Sequence, residues 1–258
     1  DDGSGRLRVL RKDVNGGPAS ARNLAIGVST SPVIALLDAD DYFLPGRMAR
    51  LLSAAGADWD LAADDIVIVP EALVAEAPTS PPRRPEAHPH AIGLETFVLG
   101  NLVSRTGNRA ELGYLKPVMR RAFLDRHGLR YDEAMRLGED YALYVRALAA
   151  GARFMFVPAA GYVAVARAGS LSSRHTSDDL AHIAAFDSGC LAGLASLSPG
   201  ERRALTLHLE ATLQKVALGR VLDAKRLGGW SRALRELMRW PAAVPSIVAT
   251  SLDRKSVV

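Results

Sequence analysis

Four short groups of residues have the types and spacing to do chemistry. In Asp38-Ala39-Asp40 two carboxylates stand two residues apart, directly after the apolar run Val33-Ile34-Ala35-Leu36-Leu37. Such oxygens either share one Mg²⁺ or Mn²⁺ with a substrate phosphate or form an ordinary solvated acidic turn. Glu139-Asp140 opens a predicted helix, whose dipole favours a charged carboxylate at that end. A carboxylate placed there serves either as a base or only as a complement to the dipole. Arg22 and Asn23 follow the glycine-rich turn Asn15-Gly16-Gly17-Pro18. Arg22 can meet a phosphate or a carboxylate, or remain a surface arginine. Asp1-Asp2-Gly3-Ser4 is loop chemistry, in which an aspartate accepts a bond from a base or ribose or simply forms a turn.

These groups need elements to hold them. Residues 7–10 form an apolar-rich strand candidate. Pro18 starts a helix that runs to residue 28. The run 33–37 is continuous and apolar, as expected of a strand buried on both faces. Pro45 starts the next helix, and 66–69 is a further buried strand. Strand, helix, strand, helix, strand along the first seventy residues implies an α/β layer with a mainly parallel sheet. In such sheets ligands bind at the carboxyl ends of strands, where Asp38 and Asp40 fall. Further on, residues 94–103 read as helix, 115–119 as strand, 121–127 as a short helix and 139–150 as a helix closed by Gly151. Two strands are expected at 154–157 and 162–165. After residue 176 the pattern is helical: 178–197, then a helix started by Ser198-Pro199-Gly200-Glu201, then a break at Gly228-Gly229.

Composition narrows the class. Of 258 residues 48% are hydrophobic and 23% charged, which excludes a wholly disordered chain. The single cysteine, Cys190, excludes an internal disulfide framework and reads as a small apolar residue on a helix. No stretch has the apolar length of a transmembrane helix. The net charge of +4 is uneven: residues 201–258 hold 11 Lys and Arg against 5 Asp and Glu. Basic residues alternate there with Leu, Val and Trp, and no nucleic-acid motif is present. The segment is therefore either an interfacial membrane contact, with Trp230, Trp240 and the apolar stretch 242–248, or a helix pair packed on the core with a solvated basic face.

Taken in order, Asp1-Asp2-Gly3-Ser4, Asn15-Gly16-Gly17 with Ala21-Arg22-Asn23, Leu37-Asp38-Ala39-Asp40-Asp41 and Gly138-Glu139-Asp140 resemble the family 2 glycosyltransferases of the GT-A fold. The likeness covers residues 1–175. Gly113-Tyr114-Leu115-Lys116-Pro117, Arg136-Leu137-Gly138-Glu139-Asp140-Tyr141 and Gly161-Tyr162-Val163-Ala164-Val165 look similar to bacterial exopolysaccharide glucosyltransferases of the succinoglycan type. The resemblance implies a GT-A domain over 1–175 and a basic helical region over 176–258. It implies that Asp2 binds the uracil or ribose side of a UDP-sugar, and that Asp38 contacts the ribose or metal-bound water. Asp40 binds the divalent cation, Mg²⁺ or Mn²⁺, with Asp38 and His175 as the further metal-side residues. Arg22 supports the nucleotide pocket. Asp140, with Glu139 beside it, is the general base. Tyr162, Arg167 and Ser170 lie on the segment that closes the site. A GT-A domain also places one strand, a helix and a second strand before the Asp-Asp-Gly-Ser loop, so about 30 to 40 residues are expected to precede Asp1.

The expected reaction moves a hexose, with glucose first among them, from the UDP-sugar to a lipid-linked oligosaccharide with inversion. The location implied is cytoplasmic, at the inner face of the membrane. Glu236-Leu237-Met238-Arg239-Trp240 lacks the glutamine of the Q-x-x-R-W string of processive synthases and lies far beyond Asp140. Single addition is therefore expected. Two other readings stay open: a sugar-phosphate nucleotidyltransferase, which needs a Gly-rich phosphate loop not present here, and an inactive GT-A scaffold.

Overall fold

A computed structural model describes residues 6–80, 88–102, 112–167 and 176–239. Asp2, Ser170, His175, Trp240 and the 242–248 stretch lie outside the described residues.

Helix α1 (Gly17–Val28) begins with Pro18 inside its first turn, where the missing N–H costs nothing. It leads into β1 (Val33–Ala35), and the chain then turns through Asp38–Asp41 into β2 (Tyr42–Phe43). Next come α2 (Arg47–Ala55), β3 (Leu61–Pro70), β4 (His90–Ile92), α3 (Leu94–Leu99), β5 (Val118–Arg120), α4 (Arg121–Arg126), α5 (Glu139–Ala149) and β6 (Phe154–Ala166). Two helices close the described chain: α6 (Ser177–Gly193) and α7 (Pro199–Arg239). Ser198 and Glu201 form the expected capping pair, each accepting the other's backbone N–H. Gly228 and Gly229 break the helical geometry of α7, as their pairing in the sequence requires.

The strands lie in the order β1-β5-β3-β6-β2, with β4 also on β6. The expectation of a mainly parallel sheet needs correction. β1, β3 and β6 do run in one direction, but only β3 and β6 pair in parallel among the described residues. β5 enters between β1 and β3 and runs against both, while β2 and β4 lie antiparallel on β6. Local alternation reports direction; it does not report a strand that arrives fifty residues later and inserts between neighbours. Residues 7–10 are not a strand: they are mostly exposed and join no ladder. The two strands expected around Pro158 are one, because a register shift in β3 between Asp64 and Ile66 absorbs the interruption.

Helix α5 is the buried centre, with Ala142, Leu143, Tyr144, Val145 and Ala147 fully covered. One continuous core joins it to α1, α3, β1, β3 and β6. Ile183 and Cys190 of α6 and Ala204 and Leu205 of α7 belong to that same core. Burial pushes the Cys190 thiol up to about 11, as fits a packing residue. Among the described residues no helix is long and apolar enough to cross a membrane.

Candidate active site

The site forms where the loop after β1 meets the first turn of α5. Arg22, on α1, reaches across both. One of its amino groups donates to Asp38 at 2.7 Å, and the other donates to Glu139 at 2.8 Å and Asp140 at 3.1 Å. Lys116, just before β5, donates to Asp140 at 2.6 Å and lies 3.1 Å from the second oxygen of Asp38. Two cations thus hold Asp38 together with the adjacent pair Glu139 and Asp140, which lie about a hundred residues further along the chain.

The charges are tuned by this arrangement. Burial alone would raise the Asp38 carboxyl, but Lys116 and then Arg22 hold it below the usual carboxylate range. Burial would lower the Lys116 ammonium, but Asp140 and Asp38 more than offset it and keep it above its ordinary value. Burial raises Glu139, and the like charge of Asp140 adds to that. Gly138 takes a left-handed backbone (φ 78°) to turn the chain into α5, so Glu139 and Asp140 both sit in the first turn.

Each cation is itself held. The guanidinium of Arg22 lies 5.3 Å from the centre of the Tyr131 ring. Asn23, its neighbour, exchanges two hydrogen bonds with the backbone of Tyr131, both of 2.9 Å, and so fixes that ring. Lys116 is held from below by Arg47, which donates to its carbonyl at 2.8 Å. Arg47 is in turn bonded to Asp64 at 2.6 Å, with side chains only 1% and 3% exposed. Its guanidinium lies 4.6 Å from the Phe43 ring and 5.3 Å from the Tyr162 ring. Tyr162 donates its hydroxyl to Asp41 at 2.6 Å and accepts from the Asp38 backbone at 3.2 Å, which ties the acidic loop to β6. Gly161 makes room for this: a Cβ there would come within 2.6 Å of Asp64 and 2.7 Å of Arg47.

The structure therefore brings together Arg22, Asp38, Glu139 and Asp140 as the sequence reading named them. Arg167 stands apart and pairs with Glu71 at 3.4 Å, largely exposed. Sequence reasoning assigned no role to Lys116 or to the Arg47–Asp64 pair. The signal for Lys116 was a lone charge inside an apolar strand run, followed by Pro117. The Arg47–Asp64 pair had no such signal, since it depends on β3 passing beneath α2.

Among the described residues no group of three or more His, Cys, Asp or Glu can enclose a metal. Mg²⁺ is commonly held by one or two carboxylates together with substrate phosphates, so a full protein cage is not required. Asp40 fits such a place, being half-buried and in no ion pair among the described residues. Asp38 fits less well as a direct ligand, because both of its oxygens face cations.

Residues 1–105 match glycosyl transferase family 2. Over 256 residues the chain is 46% identical to the succinoglycan biosynthesis protein ExoU of Rhizobium meliloti (strain 1021), covering 99% of this chain and 74% of that protein. The chain belongs to glycosyltransferase family 2. A second relative, the succinoglycan biosynthesis protein ExoO of the same organism, is 37% identical over 171 residues. That match covers 65% of this chain and 47% of ExoO. The fold of this glycosyltransferase is GT-A, like that of S. aureus TarS 1–349 solved with UDP-GlcNAc. The TM-score is 0.56 at 20% identity, over 94% of this chain and 66% of that one. TarS 1–349 on its own gives 0.50 at 16% identity, over 90% and 60%.

The buried Arg47–Asp64 pair yields a stability prediction for this family 2 domain. Asp64→Ala leaves an uncompensated buried guanidinium and should destabilise the fold by about 3–5 kcal/mol. Adding Arg47→Met should recover most of that loss in chemical denaturation. Equal instability of the single and double variants would show that the pair is not what holds this layer.

Proposed function

We propose that this chain transfers a hexose, glucose first among the candidates, from a UDP-sugar to a lipid-linked oligosaccharide in exopolysaccharide synthesis, with inversion. The observation that carries the reading is the joining of Asp38 and the Glu139-Asp140 helix end through Arg22 and Lys116. Two relatives named for succinoglycan biosynthesis support the polysaccharide, and a structural neighbour solved with UDP-GlcNAc supports the donor class.

In this mechanism the acceptor hydroxyl attacks the anomeric carbon in line with the departing diphosphate. Asp140 takes the hydroxyl proton as the new bond forms. The bond from the anomeric carbon to the β-phosphate oxygen breaks, and its electron pair stays on UDP. Each Asp140 oxygen accepts from one cation, Oδ1 from Arg22 and Oδ2 from Lys116, and keeps a second lone pair with which to accept the acceptor hydroxyl. Lys116 also lies beside Asp38 and so steadies Asp140 during the transfer. Arg22 keeps Asp38 and Asp140 on one rigid frame. A divalent cation bound beside Asp40 would neutralise charge on the leaving diphosphate.

Asp140→Asn should lower turnover by roughly 10²–10⁴-fold while UDP affinity stays nearly unchanged. Undiminished transfer in that variant would remove Asp140 as the base. Asp40→Ala should abolish the gain in UDP affinity that Mn²⁺ provides, read by calorimetry. The same Mn²⁺-dependent affinity in parent and variant would place the metal elsewhere.

A lipid-linked acceptor also suits the end of α7. Trp230, Leu234 and Met238 recur at four-residue spacing and are 68%, 57% and 74% exposed. Lys225, Arg226, Arg232, Arg235 and Arg239 surround them, against the single acid Glu236. An apolar stripe with a basic border is the pattern of a helix lying on an anionic bilayer. The chain should sediment with vesicles containing phosphatidylserine more strongly than with phosphatidylcholine alone. Substituting Trp230, Leu234 and Met238 by Ser should abolish the difference; binding that ignores these changes would refute the contact.

A further inference from the structure

Directly behind Asp140 lies a buried polar cluster that the transfer chemistry does not use. Tyr141, the next residue of α5, donates its hydroxyl to Asp187 of α6 over 2.9 Å. The other Asp187 oxygen meets Nδ1 of His208, on α7, at 2.7 Å. Asp187 is 0% exposed, so its charge is tolerated only because both oxygens are bonded. The Tyr141 and His208 rings stack with centres 4.6 Å apart. Phe97 stacks on Tyr141 at 5.9 Å, and Phe186 meets it edge-on at 6.0 Å.

A second contact joins α6 to the same turn. Ile183 packs so closely on Gly138 that a Cβ there would lie 2.8 Å from it. Helix α6 therefore touches α5 just before Glu139 and just after Asp140. Burial and the neighbouring Asp187 push the Tyr141 hydroxyl well above its ordinary range, so it remains a donor.

We propose that Tyr141, Asp187 and His208 form a positioning clamp for Asp140. This rests on Asp140 acting as the acceptor base. The first turn of a helix lacks intrahelical partners for its N–H groups and readily frays. Arg22 and Lys116 pull on Asp140 from the front. Apolar packing behind it would resist displacement but would not define rotation of the turn, because it is not directional. A buried carboxylate with two directed bonds allows one arrangement. The clamp thereby sets the rotation of α5 and the distance between Asp140 and the Asp38 loop. A misplacement of about 1 Å in such a group can cost about 100-fold in rate. On this reading α6 and α7 are part of the catalytic frame.

The test uses the full chain with Tyr141→Phe, His208→Ala and His208→Gln. The first two should lower kcat by about tenfold or more, with UDP-sugar KM and UDP affinity within about twofold of the parent. His208→Gln can still donate to Asp187 and should restore most of kcat. Parental kcat in Tyr141→Phe would overturn the clamp. So would losses in which kcat, UDP affinity and thermal stability fall together, the mark of general unfolding. Asp140→Asn measured alongside separates the two ideas. If it is inactive while Tyr141→Phe is normal, only the clamp fails; if it is fully active, the base assignment itself fails.

Discussion

Three carboxylates converge in this structure, and what permits it is a pair of largely buried cations. Asp38, Glu139 and Asp140 would repel one another, and burial penalises each ionised form. Arg22 and Lys116 lie between them and reverse the balance at Asp38. Neither cation is a free surface side chain: Arg22 is 13% exposed and Lys116 10%. The planar fork of Arg22 suits its part, since two separate amino groups can serve carboxylates on different elements. Lysine offers a point charge and fits the gap between Asp38 and Asp140.

The rest of the molecule can be understood as support for those two groups. Asn23 and the Tyr131 ring hold Arg22, while Arg47, Asp64 and Gly161 make a floor under Lys116. Tyr162 ties the acidic loop to the longest strand. Such buried ion pairs add little net stability, because desolvation consumes most of the attraction. Their contribution is geometric: each directed bond joins two elements at a defined distance. The shared core of α5, α6 and α7 extends this support to the far side of Asp140.

Much of the site was legible because its chemistry is local in sequence. An apolar run ending in Asp38-Ala39-Asp40, and a glycine before Glu139-Asp140, mark the loops that carry these carboxylates, although the strand is not buried on both faces as expected: it stops at Ala35 and Leu37 is 50% exposed. Helix starts were legible for the same reason, at Pro18, at Ser198-Pro199 and at Glu139. Lys116 is a charge within an apolar run, a signal the sequence reading left unused, and its two carboxylate partners could not be seen from the chain order. Arg47 and Asp64 carried no sign at all, since one looks like a helix-surface arginine and the other like a turn residue. Asp187 and His208 likewise read as ordinary polar positions on helices. Each gains its meaning only from an element that folds against it.

By itself the sequence determined the α/β class of the molecule and the local elements that carry Arg22, Asp38, Glu139 and Asp140, but not the part of Lys116 between them. Those follow from periodicity, turn chemistry and the types of side chain, which act over a few residues. Only the tertiary structure decided the pairing within the sheet, because β5 intercalates between β1 and β3 from far along the chain. It alone decided which charges neutralise which, because Coulomb energy depends on distance and burial, not on order in the chain. It also decided that the C-terminal helices close the core behind Asp140, through a carboxylate that is tolerable only where two partners from other helices meet it.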